Sequence, residues 1–174
     1  SSTGFRCFAL GADRIREEER QGGDRASWGM ALNEAEPSSP AVMEAFIGRF
    51  AAWGRRPEAI TPVDGRSGAA LAVTFGDPER RFQTTTFEPT ALSLGRIQTS
   101  DEGTTLASVG RPLRGFEVQI RGADGGVLGE DALGQIHVSG PSLMAGYLDD
   151  TPSPIQDGWL QTGDLGFVHK GELY

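Results

Sequence analysis

Few side chains in this sequence have the types and spacing that catalysis or metal binding requires. The two histidines, His137 and His169, lie far apart along the chain and do not predict a metal site. The single cysteine, Cys7, is interpreted as a buried structural thiol, and Ser67 lacks the Gly-x-Ser-x-Gly elbow of serine hydrolases. Lys170 is the one lysine among 16 basic residues, so chemistry that needs a primary amine has a single candidate.

The composition excludes several classes of function. Sixteen basic and 24 acidic residues give 174 residues a formal net charge of -8, which argues against a nucleic-acid or anionic-membrane surface. One cysteine excludes a disulfide framework, and the usual glycine-rich phosphate loops are missing from these residues. No apolar run approaches the roughly 20 residues of a membrane span, and the first 20 residues do not resemble a signal peptide. We therefore expect a cytoplasmic chain.

The elements that would position functional residues fall into two predicted units joined near Phe87–Leu94. Residues 1–87 carry a net charge of -1, and residues 88–174 carry -7. In the first unit, the charge spacing of Asp13–Arg20 predicts a short solvated helix. A second helix is predicted after the N-cap Ser39 and before Gly54, with Pro40 at its first position. Its apolar stripe is Val42, Phe46, Phe50 and Trp53.

Shorter patterns predict strands. Trp28, Met30 and Leu32 alternate as in a strand with one buried face, whereas Ala69–Phe75 fits either a helix or a buried strand. Glycine, at 25 of 174 residues, is about twice as frequent as usual and separates the later apolar runs. This pattern predicts a small β-sandwich or barrel. Its strand candidates are Phe82–Thr86, Leu106–Val109, Phe116–Ile120 and Gln135–Val138.

Several segments, in order and spacing, resemble motifs of the adenylate-forming enzymes. The likeness runs from end to end of the sequence and is specific to the fatty acyl-AMP ligases, which activate fatty acids as acyl adenylates for polyketide and lipopeptide assembly. It implies a mixed α/β fold, with a partial α/β sheet subdomain at residues 1–90 and a small distorted β-barrel at 91–174. The segments are Trp28–Pro37, Arg56–Pro62, Leu71–Gly76, Thr104–Pro112, Gly129–Gly140, Gly140–Tyr147, Asp157–Gly166 and Gly171–Tyr174.

The resemblance also implies a degenerate nucleotide site. Asp164, within Thr162–Gly166, matches the aspartate that holds the ribose hydroxyls, although an aspartate between glycines also serves as a turn cap. Asn33, Ala35 and Glu36 match a loop that lies against the adenine. Glu34 replaces the family's glycine and would add bulk and negative charge beside a nucleotide.

The main departure from the family lies at Val63–Ala69. By alignment, the family's aromatic residue, glycine and magnesium-binding glutamate correspond to Asp64, Gly65 and Gly68. A stacking face for the base and a metal ligand are therefore expected to be lost. The family's phosphate loop would precede Ser1, and its lysine-bearing lid would follow the last residue, so no cofactor is expected for this chain alone, whereas the family uses ATP and magnesium.

Three functions remain open at this stage. The leading hypothesis is a degenerate fatty acyl-AMP-ligase-like domain without adenylation activity, acting as a structural or docking element linked to polyketide, nonribosomal-peptide or lipid biosynthesis. The second is a piece of an active fatty acyl-AMP ligase. The third is an acyl-chain or nucleotide-binding module that keeps part of an acyl tunnel, built from Phe5, Phe8 or Phe75.

The expected partners follow from these hypotheses. Strand edges left open in a partial α/β sheet predict a homodimer or an assembly-line protein that covers the first unit. An acyl chain or acyl-AMP is the expected small ligand, and neither nucleic acid nor a membrane is expected. Arg49, Arg55 and Arg56 could form a basic patch for an acidic partner, but three arginines at a helix end more often compensate the helix dipole.

Overall fold

The computed structural model describes residues 2–4, 14, 29–34, 38–51, 54, 56–149 and 151–174. The α-helices in these ranges are α1 (Pro40–Phe50) and α2 (Pro89–Ser93), and neither is long and apolar enough to cross a membrane. The strands are β1 (Ser2–Gly4), β2 (Ala31–Glu34), β3 (Ile60–Arg66), β4 (Leu71–Phe75), β5 (Thr84–Phe87), β6 (Thr104–Ala107), β7 (Arg111–Pro112), β8 (Glu117–Arg121), β9 (Val127–Leu128), β10 (Gly134–Ser139), β11 (Ile155–Gln156), β12 (Trp159–Gly166), β13 (Val168–His169) and β14 (Glu172–Leu173).

The first sheet has the order β1-β2-β3-β4-β7. Strands β1, β2 and β3 run parallel, and β4 and β7 continue the sheet in antiparallel pairing. Helix α1 packs on this sheet, because parallel strands need an apolar cover on their faces. The resulting core consists of Ala31, Met43, Phe46, Ile47, Phe50, Ile60 and Ala107.

The second sheet is antiparallel, with the order β11-β12-β10-β8-β9. A register irregularity between Gln135 and His137 interrupts the pairing of β10 with β12, and such bulges increase the local bend and twist of a sheet. The hairpin β13–β14 links this sheet to the first through hydrogen bonds between Leu173 and residues 109 and 110. A second core joins the two sheets, built from Ala69, Val73, Ile120, Ile136, Val138 and Leu173. The predicted α/β part followed by a small, distorted barrel is confirmed.

Helix α1 lies where the sequence predicts it. Pro40 occupies the first turn, and Phe46 and Phe50 are buried with their rings 4.3 Å apart. Ser39 stands at the N-cap as predicted, and its side chain makes no capping hydrogen bond. Gly54 has a φ of 72° and donates its N–H to the carbonyl of Ala51, which closes the chain after the helix.

The early strand has a different buried face from the predicted one. Met30 and Leu32 are half-buried, whereas Ala31 and Asn33 are 1% and 0% exposed. The reason is that β2 is hydrogen-bonded on both sides and α1 packs against Ala31, so a simple alternation does not identify its core face. The ambiguous Ala69–Phe75 segment forms β4 after a short 3-10 turn, Ser67–Ala69.

The later strand candidates are confirmed as strands, with shifted bounds. Strand β5 begins two residues after Phe82, and β6 covers Thr104–Ala107 rather than Leu106–Val109. Strands β8 and β10 match the two remaining candidates to within one residue. Several sequence predictions concern residues outside the described ranges: the helix at Asp13–Arg20 apart from Arg14, and the roles of Phe5, Cys7, Phe8, Trp28, Trp53 and Arg55.

Candidate functional site

A cleft of about 380 Å³ lies between the end of β3 and the end of β12. Strand β3 contributes Asp64, Gly65 and Arg66, and β12 contributes Asp164. The remaining lining is mostly apolar: Val63, Leu106, Ala107, Val109, Ile136, Leu165, Leu173 and Tyr174, with the hydroxyl residue Ser38. The fold thus brings together Asp164 and the Asp64–Arg66 segment, which are about a hundred residues apart in sequence.

The backbone at the end of β3 is irregular. A register shift between Asp64 and Gly65 interrupts the pairing with β4. A side chain at Gly65 would be crowded, since a Cβ there would displace the carboxylate of Glu34 and lie 3.1 Å from the carbonyl oxygen of Leu71. Ala70 and Leu71 follow with φ values of 54° and 96°, a conformation that non-glycine residues rarely adopt. Bulges and strained backbone of this kind concentrate at functional sites.

Arg66 joins two carboxylates in the cleft. Its Nε donates to Asp64 Oδ2 at 3.0 Å, and its Nη2 lies 3.0 Å from Asp64 Oδ1, which makes a two-point ion pair. Its Nη1 donates to Asp164 Oδ2 from the opposite strand. The side chains of Asp64 and Arg66 are 14% and 13% exposed, whereas that of Asp164 is 64% exposed. The guanidinium is therefore anchored on its buried side and reaches toward an accessible carboxylate.

The surroundings of Asp64 disfavour its charge. Burial raises the pKa of this carboxyl above its usual range, and the charge of Asp164 raises it further, while the Arg66 guanidinium partly offsets both effects. The backbone N–H of Asp64 also donates to Thr74 Oγ1 at 3.3 Å. Asp64 is thus a buried carboxyl whose charged form is disfavoured by burial and stabilised by Arg66.

Asp164 faces the cleft rather than capping a turn. Its carboxylate accepts from Arg66, and its own N–H donates to Thr162 Oγ1 at 3.1 Å. The Thr162 hydroxyl in turn donates to the carbonyl of Ile136 on β10. Gly163, with a φ of 80°, lets β12 turn just before Asp164. The end of β12 is therefore fixed by its neighbours and presents one carboxylate to the cleft.

The other nucleotide-site candidates lie at the edge of the cleft or outside the described residues. Asn33 is fully buried, and its Nδ2 donates at 2.9 Å to the hydroxyl of Ser38, which lines the cleft. Glu34 is half-buried with its carboxylate against Gly65, so the expected bulk and charge do lie beside the cleft. Ala35 and Glu36 are outside the described residues.

Gly68 lies on a second cavity of about 270 Å³ that shares Gly65 and Arg66 with the cleft. A Cβ at Gly68 would meet Leu160 Cδ2 at 3.3 Å and Met144 Sδ at 3.5 Å. The neutral polar residues Ser67, Tyr147, Gln161 and Thr162 complete much of the lining, with Arg66 as the charged member of the described set. These donors do not fit magnesium, which prefers carboxylate oxygens.

Other residues with chemical potential are accounted for by the fold. Lys170 and Gly171, with φ values of 52° and 76°, form the exposed two-residue turn between β13 and β14. His137 is buried in β10, and burial together with the Arg121 charge lowers its pKa. His169 Nδ1 lies 2.6 Å from Asp131 Oδ1. Within the described ranges, no three histidine, cysteine or acidic side chains form a group that could hold a metal ion.

The role of Arg66 was not predicted from the sequence. The signal was present, because Asp64 and Arg66 have opposite charges two residues apart on a strand. The partner on β12 became visible only in the folded chain, 98 residues away. Phe75, considered for an acyl tunnel, is half-buried in β4 and is not among the residues that line the cleft.

The curated proteins most similar to this chain include an adenylyltransferase and a fatty-acid ligase. No protein-family model matches the chain. The 4-hydroxyphenylalkanoate adenylyltransferase of Mycobacterium marinum is 29% identical over 96% of the chain and 30% of its own length. The medium-chain-fatty-acid–[acyl-carrier-protein] ligase JamA of Moorena producens is 30% identical over 92% of the chain and 30% of its own length. The chain thus spans about three-tenths of these curated relatives.

Solved structures give the same result at the level of the fold. A fatty acyl-adenylate ligase from a study of the E. coli and L. pneumophila enzymes matches all of the chain and 33% of its own chain, with a TM-score of 0.93 and 30% identity. The L. pneumophila ligase in complex with acyl adenylate and pyrophosphate matches all of the chain and 33% of its own, with a TM-score of 0.91 and 32% identity. The adenylation domain of a keto acid-selecting NRPS module matches 99% of the chain and 34% of its own, with a TM-score of 0.86 and 28% identity.

Proposed function

We infer that this chain, which belongs to the adenylate-forming superfamily and is similar to part of the fatty acyl-AMP ligases, has lost the adenylation reaction and serves as a structural or docking element. Adenylation joins a carboxylate to the α-phosphate of ATP with loss of pyrophosphate. The reaction brings anionic groups together, and enzymes offset that repulsion with cations, hydrogen-bond donors and a metal ion. Among the described residues that line the cleft, Arg66 is the cation, and it is already paired with two carboxylates.

The position of Gly68 carries this proposal. By the resemblance to the family, this position is that of a magnesium-binding glutamate. Here the residue has no side chain, and the space that a side chain would enter faces Met144 and Leu160. An apolar thioether and a methyl group cannot replace a carboxylate as magnesium ligands. The same backbone can still carry a side chain, because Gly68 is not among the glycines with positive φ.

The charge of the cleft supports the same conclusion. Asp64 and Asp164 line it, and Glu34 lies against Gly65, with Arg66 as the nearby cation already bound to two carboxylates. A triphosphate or a fatty-acid carboxylate entering this cleft would meet like charges rather than free donors. The repulsion between like charges at short range disfavours both substrates.

ATP–pyrophosphate exchange with fatty acids tests the proposal on the protein that carries this chain. We expect no exchange above background. The L. pneumophila ligase is the positive control. A variant of that ligase, with residues 64–68 of this chain in place of its corresponding pentapeptide, tests the effect of this segment. Loss of a single electrostatic contact commonly costs about 10²–10³-fold in rate, so we expect at least that loss in the exchanged ligase. Exchange by the natural protein, or an unimpaired exchanged ligase, would overturn the proposal.

A second function is favoured by one observation. The fold superposes on a fatty acyl-adenylate ligase with a TM-score of 0.93, and Asp164 of β12 lines the cleft. A protein active in forming acyl adenylates could keep both features and draw its metal ligand from elsewhere. The exchange assay separates the two functions directly, because activity of the natural protein supports this second one.

The docking role predicts a partner for the exposed apolar surface. Tyr147 and Leu148 lie together in the loop before β11, 54% and fully exposed, and Leu165 is 65% exposed at the mouth of the cleft. A second copy of the chain or an assembly-line protein would cover such residues. Light scattering after size exclusion tests this, and a monomer that binds no hydrophobic dye would contradict it. A cytoplasmic location stays a prediction.

A further inference from the structure

The side chain of Arg66 stands at the boundary between the two cavities. Gly65 and Arg66 line both the cleft and the second cavity. Asp164 is among the described residues that line the cleft but not among those that line the second cavity. Arg66, which lines both cavities, is thus ion-paired with a carboxylate that lines the cleft. Any ligand that uses the carboxylate of Asp164 must compete with this guanidinium.

The guanidinium of Arg66 is held in this position by Asp64. The two-point pair with Asp64 fixes the plane of the guanidinium, because Nε and Nη2 contact separate oxygens of one carboxylate at 3.0 Å. Nη1 is then directed at Asp164 Oδ2. The side chain of Asp64 is 14% exposed, and within the described residues Arg66 is the cation that pairs with it. The contact with Asp164 is thus presented by a preorganised group rather than by a loose surface arginine.

A carboxylate of this kind can hold either of two partners. An ionised aspartate has only acceptor sites, and it can take two N–H groups of a guanidinium or two adjacent hydroxyl groups of a sugar. Asp164 is 64% exposed, so a ligand in the cleft can reach it from solvent. The choice between the two partners is then decided by whether Arg66 is displaced.

We propose that Arg66 is a specificity-determining residue that holds Asp164 and thereby excludes neutral vicinal-diol ligands, such as the ribose of a nucleoside, from the cleft. This inference rests on the proposed function in one respect: it explains how a cleft of the adenylate-forming fold would reject nucleosides even before phosphate charge is considered. It concerns the diol alone, so it is separable from the loss of the metal ligand at Gly68.

The test uses a double variant, Asp64→Asn/Arg66→Met, because Arg66→Met alone would leave the buried carboxylate of Asp64 without its cation. The probes are adenosine, which carries no phosphate charge, and 2′-deoxyadenosine, which lacks the diol. Dissociation constants are measured by NMR titration of the chain. We expect adenosine to bind the double variant about two- to fivefold more tightly than the natural chain, because an ion pair to an exposed carboxylate is worth at most about 1 kcal/mol, with no such gain for 2′-deoxyadenosine. Adding Asp164→Asn should remove the gain.

The matched control is Arg81→Met, which breaks an exposed ion pair with Glu44 outside the cleft. It should leave adenosine binding unchanged. Equal adenosine affinity in the natural chain and the double variant would overturn the proposal, as would an equal gain for 2′-deoxyadenosine. Circular dichroism checks that each variant is folded.

A second measurement does not depend on any substitution at Arg66. The Nη1–H signals of Arg66, from the group that donates to Asp164, are compared between the natural chain and Asp164→Asn, with the Arg81 guanidinium signals as reference. We expect the Arg66 signals to shift and their hydrogen exchange to accelerate, and unchanged signals would overturn the proposal. Adenosine binding by the natural chain without ATP–pyrophosphate exchange by its protein would refute this inference alone, whereas exchange activity would refute the proposed function.

Discussion

Replacing Arg66 by methionine should destabilise the chain in a strongly pH-dependent way. The substitution keeps a long apolar side chain but removes the cation between Asp64 and Asp164. Removing one partner of a buried ion pair typically costs about 3–5 kcal/mol, because the other charge stays buried without compensation. The contact with the exposed Asp164 adds at most about 1 kcal/mol. We therefore expect Arg66→Met to lower the free energy of unfolding by about 3 kcal/mol at neutral pH.

The pH dependence follows from the protonation of Asp64. Burial already holds the pKa of this carboxyl above its usual range, and removing the Arg66 charge raises the pKa further. A carboxyl whose pKa is higher in the folded than in the unfolded chain destabilises the fold when ionised. That penalty starts to fall once the pH drops below the folded-state pKa and is gone below the unfolded-state pKa. The difference between Arg66→Met and the natural chain should therefore be largest near pH 7 and shrink toward about pH 4, near the unfolded-state pKa of aspartate.

Urea unfolding at these two pH values, followed by tryptophan fluorescence and circular dichroism, measures the effect. Asp64→Asn/Arg66→Met should recover most of the lost stability, because it removes the buried charge together with its partner. Arg81→Met, which breaks an exposed pair with Glu44, should cost less than about 1 kcal/mol. A loss below about 1 kcal/mol for Arg66→Met at pH 7, or an equal loss at both pH values, would refute the reasoning.

The fold supports further predictions. Gly110→Ala should cost at least about 2 kcal/mol in urea unfolding, because φ is +84° and a Cβ would collide with the Phe75 carbonyl. Gly48→Ala, in α1 with open space around it, should instead gain about 0.5–1 kcal/mol, and a loss would contradict this. Phe87→Ala should cost about 3–5 kcal/mol, since the ring is fully buried among three others. The imidazole of His137 should titrate by NMR with a pKa below the usual value of about 6.5, and a midpoint at or above it would show the ring is not desolvated.

Local rules explain which parts of the fold the sequence predicts well. Helix α1 is set by neighbouring residues, since Pro40 fixes the start and apolar residues recur at helical spacing, and it lies where expected. The face of β2 is set by its two neighbouring strands and by α1, so alternation around Leu32 misplaces it. The barrel strands were predicted from their glycine-bearing turns. Their bounds differ from the prediction by a few residues, because pairing with neighbouring strands sets where each strand begins and ends.

The candidate site likewise has features that the sequence predicts and features that only the folded chain reveals. The aligned positions Asp64 and Gly68 could be identified as departures from the family by sequence alone. What fills those positions could not be identified, because the apolar neighbours of Gly68 come from residues 144 and 160. Arg66 went unnoticed since its second carboxylate, Asp164, comes from a strand 98 residues further along the chain. Long-range contacts therefore decide both the apolar surroundings of Gly68 and the pairing of Arg66 with Asp164.

The pair of Asp64 and Arg66 also constrains how this sequence can change over evolutionary time. Replacing Asp64 alone would leave Arg66, whose side chain is 13% exposed, paired only with the exposed Asp164. Replacing Arg66 alone would leave the Asp64 carboxylate without its cation, at a cost of about 3 kcal/mol, which is a large share of the roughly 5–15 kcal/mol that keeps a domain folded. The two positions are therefore coupled: the stability cost of a substitution at either one depends on the residue at the other.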